Sequence, residues 1–236
     1  MSVELRVQVA MACRVIALEG YVDLTLGHVS ARQPGQRTIW IKRKGPALDE
    51  VEPDDIIALD LDDADVLTSP DYHLETYIHT EVYRLRSDVN AVIHGHPLYA
   101  TALGSTDGQL RMLTHDAVLF AEGLGAFDEG PHLVTDAPRG ARVAEALGPR
   151  RAALMRNHGV VIAGEDVRWA VLTALALERA IRFQAIAGRL GDLRPMSEVD
   201  ARQLLPLKYR EAFLDEYWAA WVRRVERASG PVPVSH

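Results

Sequence analysis

Three histidines stand where short apolar runs end, and their spacing is that of metal ligands. His94 and His96 follow the apolar run 91–93, and His158 ends a second apolar run 62 residues after His96. Because side chains alternate along a strand, positions i and i+2 project from one face. His94 and His96 are therefore expected to converge on one point, and a third strand-end imidazole completes a common catalytic arrangement for a divalent ion. The pattern predicts a metal site made of His94, His96 and His158.

Composition limits the other ligands available to such an ion. The 236 residues include nine histidines but only one cysteine, Cys13. A single thiol can neither form an internal disulfide nor build a cysteine-based zinc site. Any metal site must therefore rest on histidine and carboxylate groups. Zinc, manganese, iron and cobalt all fit such a set of three histidines and a carboxylate.

A carboxylate candidate lies upstream of the histidines. Glu75 and His79 are four residues apart in a predicted helix that Asp71 could cap, so both would lie on one helix face. Ile78 and Val82 form the apolar stripe beside them and place the carboxylate at the edge of the core. Glu75 could then be a metal ligand or a catalytic acid or base. An ordinary pair on a solvated face is the alternative, and His79 is interpreted as a supporting residue.

The hydrophobic pattern predicts a single α/β domain that spans residues 1–236, because no repeat or flexible linker interrupts it. Helices are predicted around 5–16, 71–85, 139–147 and 166–187, followed by a helical C-terminal tail at about 197–228. Strands are predicted at 38–41, 56–61, 91–94 and 152–155, and the segment 160–163 is read as a continuation of the last one.

Charge and hydropathy exclude several classes of protein. The net charge is -7, and the 26 Lys and Arg residues are scattered, which disfavours binding to nucleic acid. The longest stretch without charged residues, 89–106, contains Asn90, two histidines and Pro97, so it is not a membrane span. Charges at Glu4, Arg6 and Arg14 do not match a secretory signal. We therefore expect a cytoplasmic protein with no nucleic-acid or membrane partner.

Four motifs in this order resemble the class II aldolase/adducin family. They are Gly27-His28-Val29-Ser30-Ala31-Arg32, Glu75-x-x-x-His79-x-x-x-Tyr83, Asp88 to Pro97 with its His94-Gly95-His96 core, and Arg156-Asn157-His158-Gly159. The resemblance implies that the three histidines bind zinc or a similar ion and that Glu75 is a ligand or acid/base. It also implies a three-layer α/β/α sandwich around a mainly antiparallel sheet, and a homotetramer with active sites near subunit interfaces.

The chain departs from the sugar-phosphate members at the positions that hold phosphate in the family. His28 replaces an asparagine, His73-Leu74 replaces a Ser-Ser pair, and Lys42 to Gly45 stands opposite a Thr-Pro-Ser-Gly loop. Cationic side chains and imidazoles leave less room than a serine cradle and suit a carboxylate. The predicted substrate-binding residues are His28, Ser30, Lys42, Lys44, Gly45 and His73. The alternative for 42–44 is a solvated run of charges.

One more catalytic candidate is His115, which lies near where family aldolases carry a tyrosine that reaches a neighbouring active site. An ordinary loop histidine is the alternative.

The resemblance implies a metal-dependent C–C lyase that stabilises an enolate-type intermediate on a small carboxylated, non-phosphorylated substrate. Decarboxylation of a hydroxy-aromatic or heteroaromatic acid is favoured over retro-aldol cleavage. The alternatives are a sugar-phosphate aldolase, epimerase or dehydratase, and a non-catalytic adducin-like binding module.

Overall fold

Residues 2–62 and 69–229 are described by a computed structural model of the chain. Within them the chain forms seven strands, seven α-helices and two short 3₁₀ helices, Pro53–Asp55 and Ala117–Phe120. The strands are β1 His28–Arg32, β2 Thr38–Lys42, β3 Ile56–Asp60, β4 Ala91–Gly95, β5 Gly125–Phe127, β6 Ala152–Met155 and β7 Gly159–Gly164. The helices are α1 Ser2–Leu18, α2 Thr76–Leu85, α3 Leu98–Gly104, α4 Ala137–Leu147, α5 Val167–Leu190, α6 Glu198–Lys208 and α7 Glu211–Ser229. Residues 1, 63–68 and 230–236 of the predicted domain lie outside the described residues.

The strands form one sheet in the order β3-β2-β1-β4-β7-β6-β5. All neighbouring pairs are antiparallel except β5 and β6, which are parallel. Helices α1, α3 and α5 cover one face, with α7 packed on α1 and α5, and α2 and α4 cover the other. The predicted three-layer α/β/α sandwich with a mainly antiparallel sheet and a helical C-terminal tail is confirmed.

The central strands are apolar on both sides because each face of the sheet meets a helix layer. In β4, Ile93 packs into the core beneath α1 and α5, whereas its neighbour Val92 packs into the core beneath α2 and α4. His94 shares the face of Val92 by strand alternation. His28 pairs with His94 across β1 and β4 and lies on the same face. The histidines of the first and third motifs are thus placed under α2.

The start of α2 differs from the prediction, and this changes the position of Glu75. The helix begins at Thr76, with Glu75 at its N-cap position. The preceding residues form a tight turn in which the main-chain N–H of Thr76 donates to the carbonyl of His73 at 3.1 Å. Asp71 therefore does not cap the helix; its carbonyl instead accepts the main-chain N–H of Lys44 at 2.7 Å. Glu75 therefore lies at the N-cap position, one residue before the helix in which His79 lies.

The segment 160–163 does not continue β6, as the sequence suggested, but turns back along it. Asn157 adopts a left-handed conformation with φ 54°, which asparagine tolerates better than most residues. The chain reverses there, and Met155 pairs with Gly159 in an antiparallel hairpin. His158 consequently lies in the hairpin loop. The strand β1 was also not anticipated as an element.

The C-terminal tail packs on the same chain. Ser197 caps α6 by accepting the main-chain N–H of Asp200 at 3.0 Å. Tyr209, Trp218 and Trp221 are partly buried against the core beneath α1 and α5. None of the helices in the described residues is long and apolar enough to cross a lipid bilayer.

Candidate metal and substrate site

Four side chains converge where β4, the β6–β7 hairpin and the start of α2 meet. Their candidate ligand atoms all lie within 4.8 Å of one another, and the residues are Glu75, His94, His96 and His158. The three imidazole rings are 5.0 to 5.3 Å apart between centroids. Nε2 of His158 and Nε2 of His94 lie 3.3 and 3.6 Å from Oε2 of Glu75. The structure thus brings together the four residues that the sequence singled out.

Main-chain contacts hold two of these side chains in place. Nδ1 of His94 donates to the carbonyl of Val160 at 2.9 Å, which leaves Nε2 as the nitrogen available to an ion. Oε1 of Glu75 accepts the main-chain N–H of Val134 at 2.9 Å, so Oε2 is the oxygen that faces the imidazoles. Such outer contacts fix the tautomer and the ring orientation of metal ligands. The contact of Val134 with Glu75 was not predicted from the sequence, because a main-chain N–H group is common to nearly all residue types.

Asp23 holds His96 and was not identified from the sequence. Its Oδ2 accepts the main-chain N–H of His96 at 2.6 Å, and its Oδ1 lies 3.4 Å from Nδ1 of the imidazole. The Asp23 side chain is only 8% exposed. The available signal was an acid flanked by apolar Val22 and Leu24 shortly before the Gly27-His28 motif.

The segment after His96 is anchored from α5. Helix α3 begins just beyond Pro97, and its first main-chain N–H groups need acceptors from outside the helix. The Glu178 carboxylate accepts the N–H groups of Tyr99 and Ala100 at 2.9 and 2.8 Å. Burial raises the pKa of Glu178, and these two hydrogen bonds oppose the shift.

Close packing of glycines lets the two ligand-bearing loops approach. A Cβ at Gly159 would lie 2.5 Å from the carbonyl oxygen of Gly95 and 2.6 Å from Cδ2 of His96. These distances are shorter than any van der Waals contact, so only glycine fits here without displacing the His96 loop. The glycine after His158 in the fourth motif therefore has a steric function.

The electrostatics of the cluster favour a neutral His94 beside an anionic Glu75. Burial lowers the pKa of His94, although Glu75 opposes the shift. Burial alone would raise the pKa of Glu75, but the imidazoles of His158 and His94 hold it well below its usual range. The hydrogen bond with Asp23 raises the pKa of His96. Deprotonated carboxylates and neutral imidazoles are the forms that bind metal ions.

The chemistry of the donor set fits a divalent cation. Nε2 of His94 and both ring nitrogens of His158 are enclosed and have no hydrogen-bond partner within the described residues. Buried polar nitrogens without partners are costly, and a bound ion is one of the few groups that would satisfy them together. Three imidazoles and one carboxylate are a usual ligand set for zinc and related ions.

Imidazoles and an ammonium group adjoin the cluster on the side of β1 and β2. The ring of His28 lies 5.0 Å from that of His94 and 4.6 Å from that of His73. Nζ of Lys42 lies 3.3 Å from Nε2 of His73 and also donates to the carbonyls of Thr25 and Arg43 at 3.3 Å. Lys42 is fully buried.

Burial governs the charge of these neighbouring groups. It lowers the pKa of Lys42. Burial and the adjacent ammonium of Lys42 lower the pKa of His73 to about 4. Burial also lowers the pKa of His28 well below the usual value for histidine. The side of the cluster toward β2 thus combines a buried amine with neutral imidazoles.

The other predicted substrate-binding residues differ in their exposure and contacts. Ser30 is fully buried, and its hydroxyl contacts His79 at 2.6 Å and Tyr83 at 2.8 Å. Lys44 is exposed, and Gly45 forms an open turn with φ 117°. The solvated interpretation of the charge run therefore applies to Lys44 but not to Lys42.

His115 is not part of the cluster within one chain. Its side chain is exposed, and its carbonyl accepts the hydroxyl of Tyr209 at 3.0 Å. A role for His115 in the site of a neighbouring subunit stays a prediction.

Comparison with known proteins identifies the family. Residues 7–185 match the sequence model of the class II aldolase and adducin N-terminal domain. The chain belongs to this family. Among its relatives, a 3,4-dihydroxyphthalate decarboxylase from Arthrobacter keyseri is 31% identical, over 80% of this chain and 82% of that protein. An L-fuculose phosphate aldolase from Methanocaldococcus jannaschii is 29% identical, over 72% of this chain and 90% of that one.

A solved structure supports the same family assignment. The aldolase II superfamily protein from Pseudomonas syringae superposes with a TM-score of 0.85 at 26% identity, covering 98% of this chain and 95% of that one. The class II aldolase relatives include both aldolases and decarboxylases, which are lyases, and this supports an enzyme of the same broad type. The candidate metal cluster accords with the divalent-metal chemistry of class II aldolases.

Proposed function

We propose that this protein is a divalent-metal-dependent C–C lyase that acts on a small, carboxylated, non-phosphorylated substrate. Decarboxylation of a hydroxy-aromatic or heteroaromatic acid is favoured over retro-aldol cleavage. The observation that carries the proposal is the cluster of Glu75, His94, His96 and His158, in which enclosed ring nitrogens of His94 and His158 have no hydrogen-bond partner among the described residues. A bound zinc ion, or manganese, iron or cobalt, would act as a Lewis acid and accommodate the negative charge left by C–C cleavage.

The neighbouring basic residues supply a binding site for the substrate's anionic group. Lys42 and His73 form a buried pair next to His28, which in turn adjoins His94. A carboxylate bound there would neutralise the Lys42 ammonium, whose hydrogen-bond partners within the described residues are two carbonyls and an imidazole. Hydrogen bonds to charged groups are strong in such enclosed surroundings. The small-molecule partner is therefore proposed to be an anion.

Glu75 is assigned the proton transfers. Its Oε2 faces the imidazoles of His158 and His94, beside the position that the ion would occupy. It can take a proton from a substrate hydroxyl and return it to the carbon that loses CO2. Protonation of that ring carbon interrupts the aromatic ring of the substrate. When CO2 leaves, the electron pair of the broken C–C bond restores the aromatic ring, and the deprotonated substrate oxygen regains a proton from water. Oε1 stays anchored on Val134 while Oε2 exchanges the proton.

Substrate screening with and without metal tests this proposal. The purified protein should release CO2 from hydroxy-aromatic acids, or an aldehyde from a hydroxy-keto acid. The activity should disappear with a chelator and return with added zinc or manganese. Activity that survives complete removal of metal would refute the proposal.

A sugar-phosphate aldolase, epimerase or dehydratase is the second candidate, because the Lys42–His73 pair could also hold a phosphate. Kinetics with phosphorylated and unphosphorylated substrates separate the two activities. A non-catalytic adducin-like module is the third. Elemental analysis that finds no bound divalent metal in well-folded protein would favour that module.

The proposal includes a cytoplasmic homotetramer with the site near a subunit interface. Aliphatic side chains beside the site residues are exposed: Val22 and Leu24 flank Asp23, and Leu98 follows His96 by two residues. Apolar patches of this kind often mark interfaces between subunits. Light scattering coupled to gel filtration would give the number of subunits, and a monomeric mass would contradict this part of the proposal.

A further inference from the structure

A chain of hydrogen-bonded side chains leads through the α2 face to the edge of the metal cluster. The Tyr83 hydroxyl lies 2.8 Å from Oγ of Ser30, and that oxygen lies 2.6 Å from Nδ1 of His79. Nε2 of His79 lies 2.6 Å from Nδ1 of His28. All four side chains are buried.

Strand β1 and helix α2 each place two of these residues on one side. His28 and Ser30 are two residues apart on β1 and therefore share one face. His79 and Tyr83 are four residues apart on α2 and therefore lie on one side of the helix. Side-chain hydrogen bonds join the two residues of β1 to the two residues of α2.

The surroundings of Tyr83 indicate which group donates in each of these hydrogen bonds. Within the described residues, Ser30 Oγ is the only side-chain or main-chain oxygen that can accept the Tyr83 hydroxyl proton. If Ser30 donated to Tyr83, the tyrosine proton would be buried without an acceptor, which folded proteins avoid. Tyr83 therefore donates to Ser30, and the serine proton is left for Nδ1 of His79.

The same reasoning extends to the two imidazoles. Nδ1 of His79 accepts from Ser30, so a neutral His79 carries its proton on Nε2 and donates it to His28. His28 accepts at Nδ1, so its own proton is on Nε2. The described residues provide no hydrogen-bond partner for that nitrogen, and the His28 ring adjoins His94 and His73.

We infer that Ser30 and His79 are positioning residues that fix His28 as the Nε2–H tautomer, so that His28 presents an uncharged hydrogen-bond donor to an acceptor oxygen of the substrate. In this arrangement the Ser30 hydroxyl positions His79 and does not contact the substrate. This differs from the substrate-binding role that the sequence predicts for Ser30. The tautomer follows from the buried contacts alone. The contact with substrate rests on the proposed function.

Nitrogen NMR of the full-length protein tests the tautomer without any assay of activity. Histidines are labelled with nitrogen-15, and the signals of His28 are identified by their loss in His28→Gln. The expected result is a protonated Nε2 and an unprotonated Nδ1 for His28. A wild-type His28 protonated on Nδ1 would overturn the inference, whatever the variants do.

Ser30→Ala and Ser30→Thr form the matched pair of variants. Without the serine hydroxyl, His79 loses the donor that selects its tautomer, so His28 should become a mixture of tautomers; threonine keeps the hydroxyl and should restore the single form. In Tyr83→Phe, Ser30 still has only His79 to donate to, so the tautomer should persist. An unchanged tautomer in Ser30→Ala would contradict the assigned direction.

Kinetics then test the role of His28 in substrate binding. For the decarboxylated acid, Ser30→Ala should lower kcat/KM about tenfold, the effect of one net hydrogen bond, with unchanged metal content and recovery in Ser30→Thr. A tautomer change with no change in kcat/KM would overturn the contact between His28 and substrate. Loss of activity in all variants together with loss of metal would instead refute the positioning role.

Discussion

Asp23 binds His96 through both of its carboxylate oxygens. One oxygen accepts the main-chain N–H of His96 at 2.6 Å, and the other lies 3.4 Å from Nδ1 of its ring. The carboxylate thereby fixes the loop and the orientation of the ring, and it directs Nε2 toward Glu75, His94 and His158. Partners of this kind orient metal-binding histidines and raise their basicity.

Asp23→Asn should therefore weaken metal binding while the fold is retained. The amide keeps the size of the side chain but removes the negative charge that raises the pKa of His96. We expect the affinity for zinc or manganese to fall by about 10- to 100-fold, measured by titration against a competing chelator. Asp192→Asn, at an exposed aspartate of the α5–α6 loop, is the control. Equal affinities for wild type and Asp23→Asn would contradict the role of Asp23.

Glu75→Gln should separate proton transfer from metal binding. The glutamine oxygen can still accept the N–H of Val134, and the three histidines remain, so the protein should keep its ion. The amide cannot carry the proton, so kcat should fall by about 100-fold or more. Metal content is measured by elemental analysis and turnover by CO2 release. Loss of the ion from this variant would instead mark Glu75 as a required ligand.

Lys42→Met and Lys44→Met should differ strongly, although the two lysines are two residues apart. Lys42 is buried against His73, whereas Lys44 is exposed. Loss of the buried charge should raise KM for the carboxylated substrate by about 10- to 100-fold, as for a hydrogen bond to a charged group. Loss of the exposed charge should change KM by about two- to fivefold.

Thermal unfolding provides an independent readout for the lysine pair. Lys42→Met should not lower Tm, because it removes a buried charge that has no carboxylate among its described hydrogen-bond partners. If Lys44→Met raised KM as much as Lys42→Met, the buried pair would not be the anion site.

Gly159→Ala should damage the site through packing alone. Its Cβ would lie 2.5 Å from the carbonyl oxygen of Gly95 and 2.6 Å from the His96 ring, and the main chain must move to admit it. We expect the free energy of unfolding to fall by about 1–3 kcal/mol, together with weaker metal binding. Chemical denaturation and metal titration measure the two effects.

Gly188→Ala is the matched control, because this glycine lies inside α5 and an added Cβ would meet only Leu193 at 4.0 Å. Alanine is favoured over glycine in a helix interior by roughly 0.5–1 kcal/mol, so this variant should be slightly more stable. Destabilisation by both substitutions would mean that the close approach at Gly159 is not the cause.

The sequence by itself determined the properties that depend on residue type and local period. The strand around Val92 and His94 was predictable because a run buried on both faces is apolar throughout. The candidate ligands His94, His96, His158 and Glu75 were predictable because they are chemically distinctive side chains in ordered motifs of a known family.

Contacts between distant segments were decided only by the tertiary structure. Asp23 meets His96 across 73 residues, and His28 meets His79 across 51. No helical or strand repeat in the sequence links the two residues of either pair. The register of β1 against β4 and the packing of α2 on the sheet bring them together. The turn at His73 placed Glu75 outside α2, and the reversal at Asn157 placed His158 in a hairpin loop. Local patterns specify which groups are available, whereas chain reversal and packing specify which of them meet.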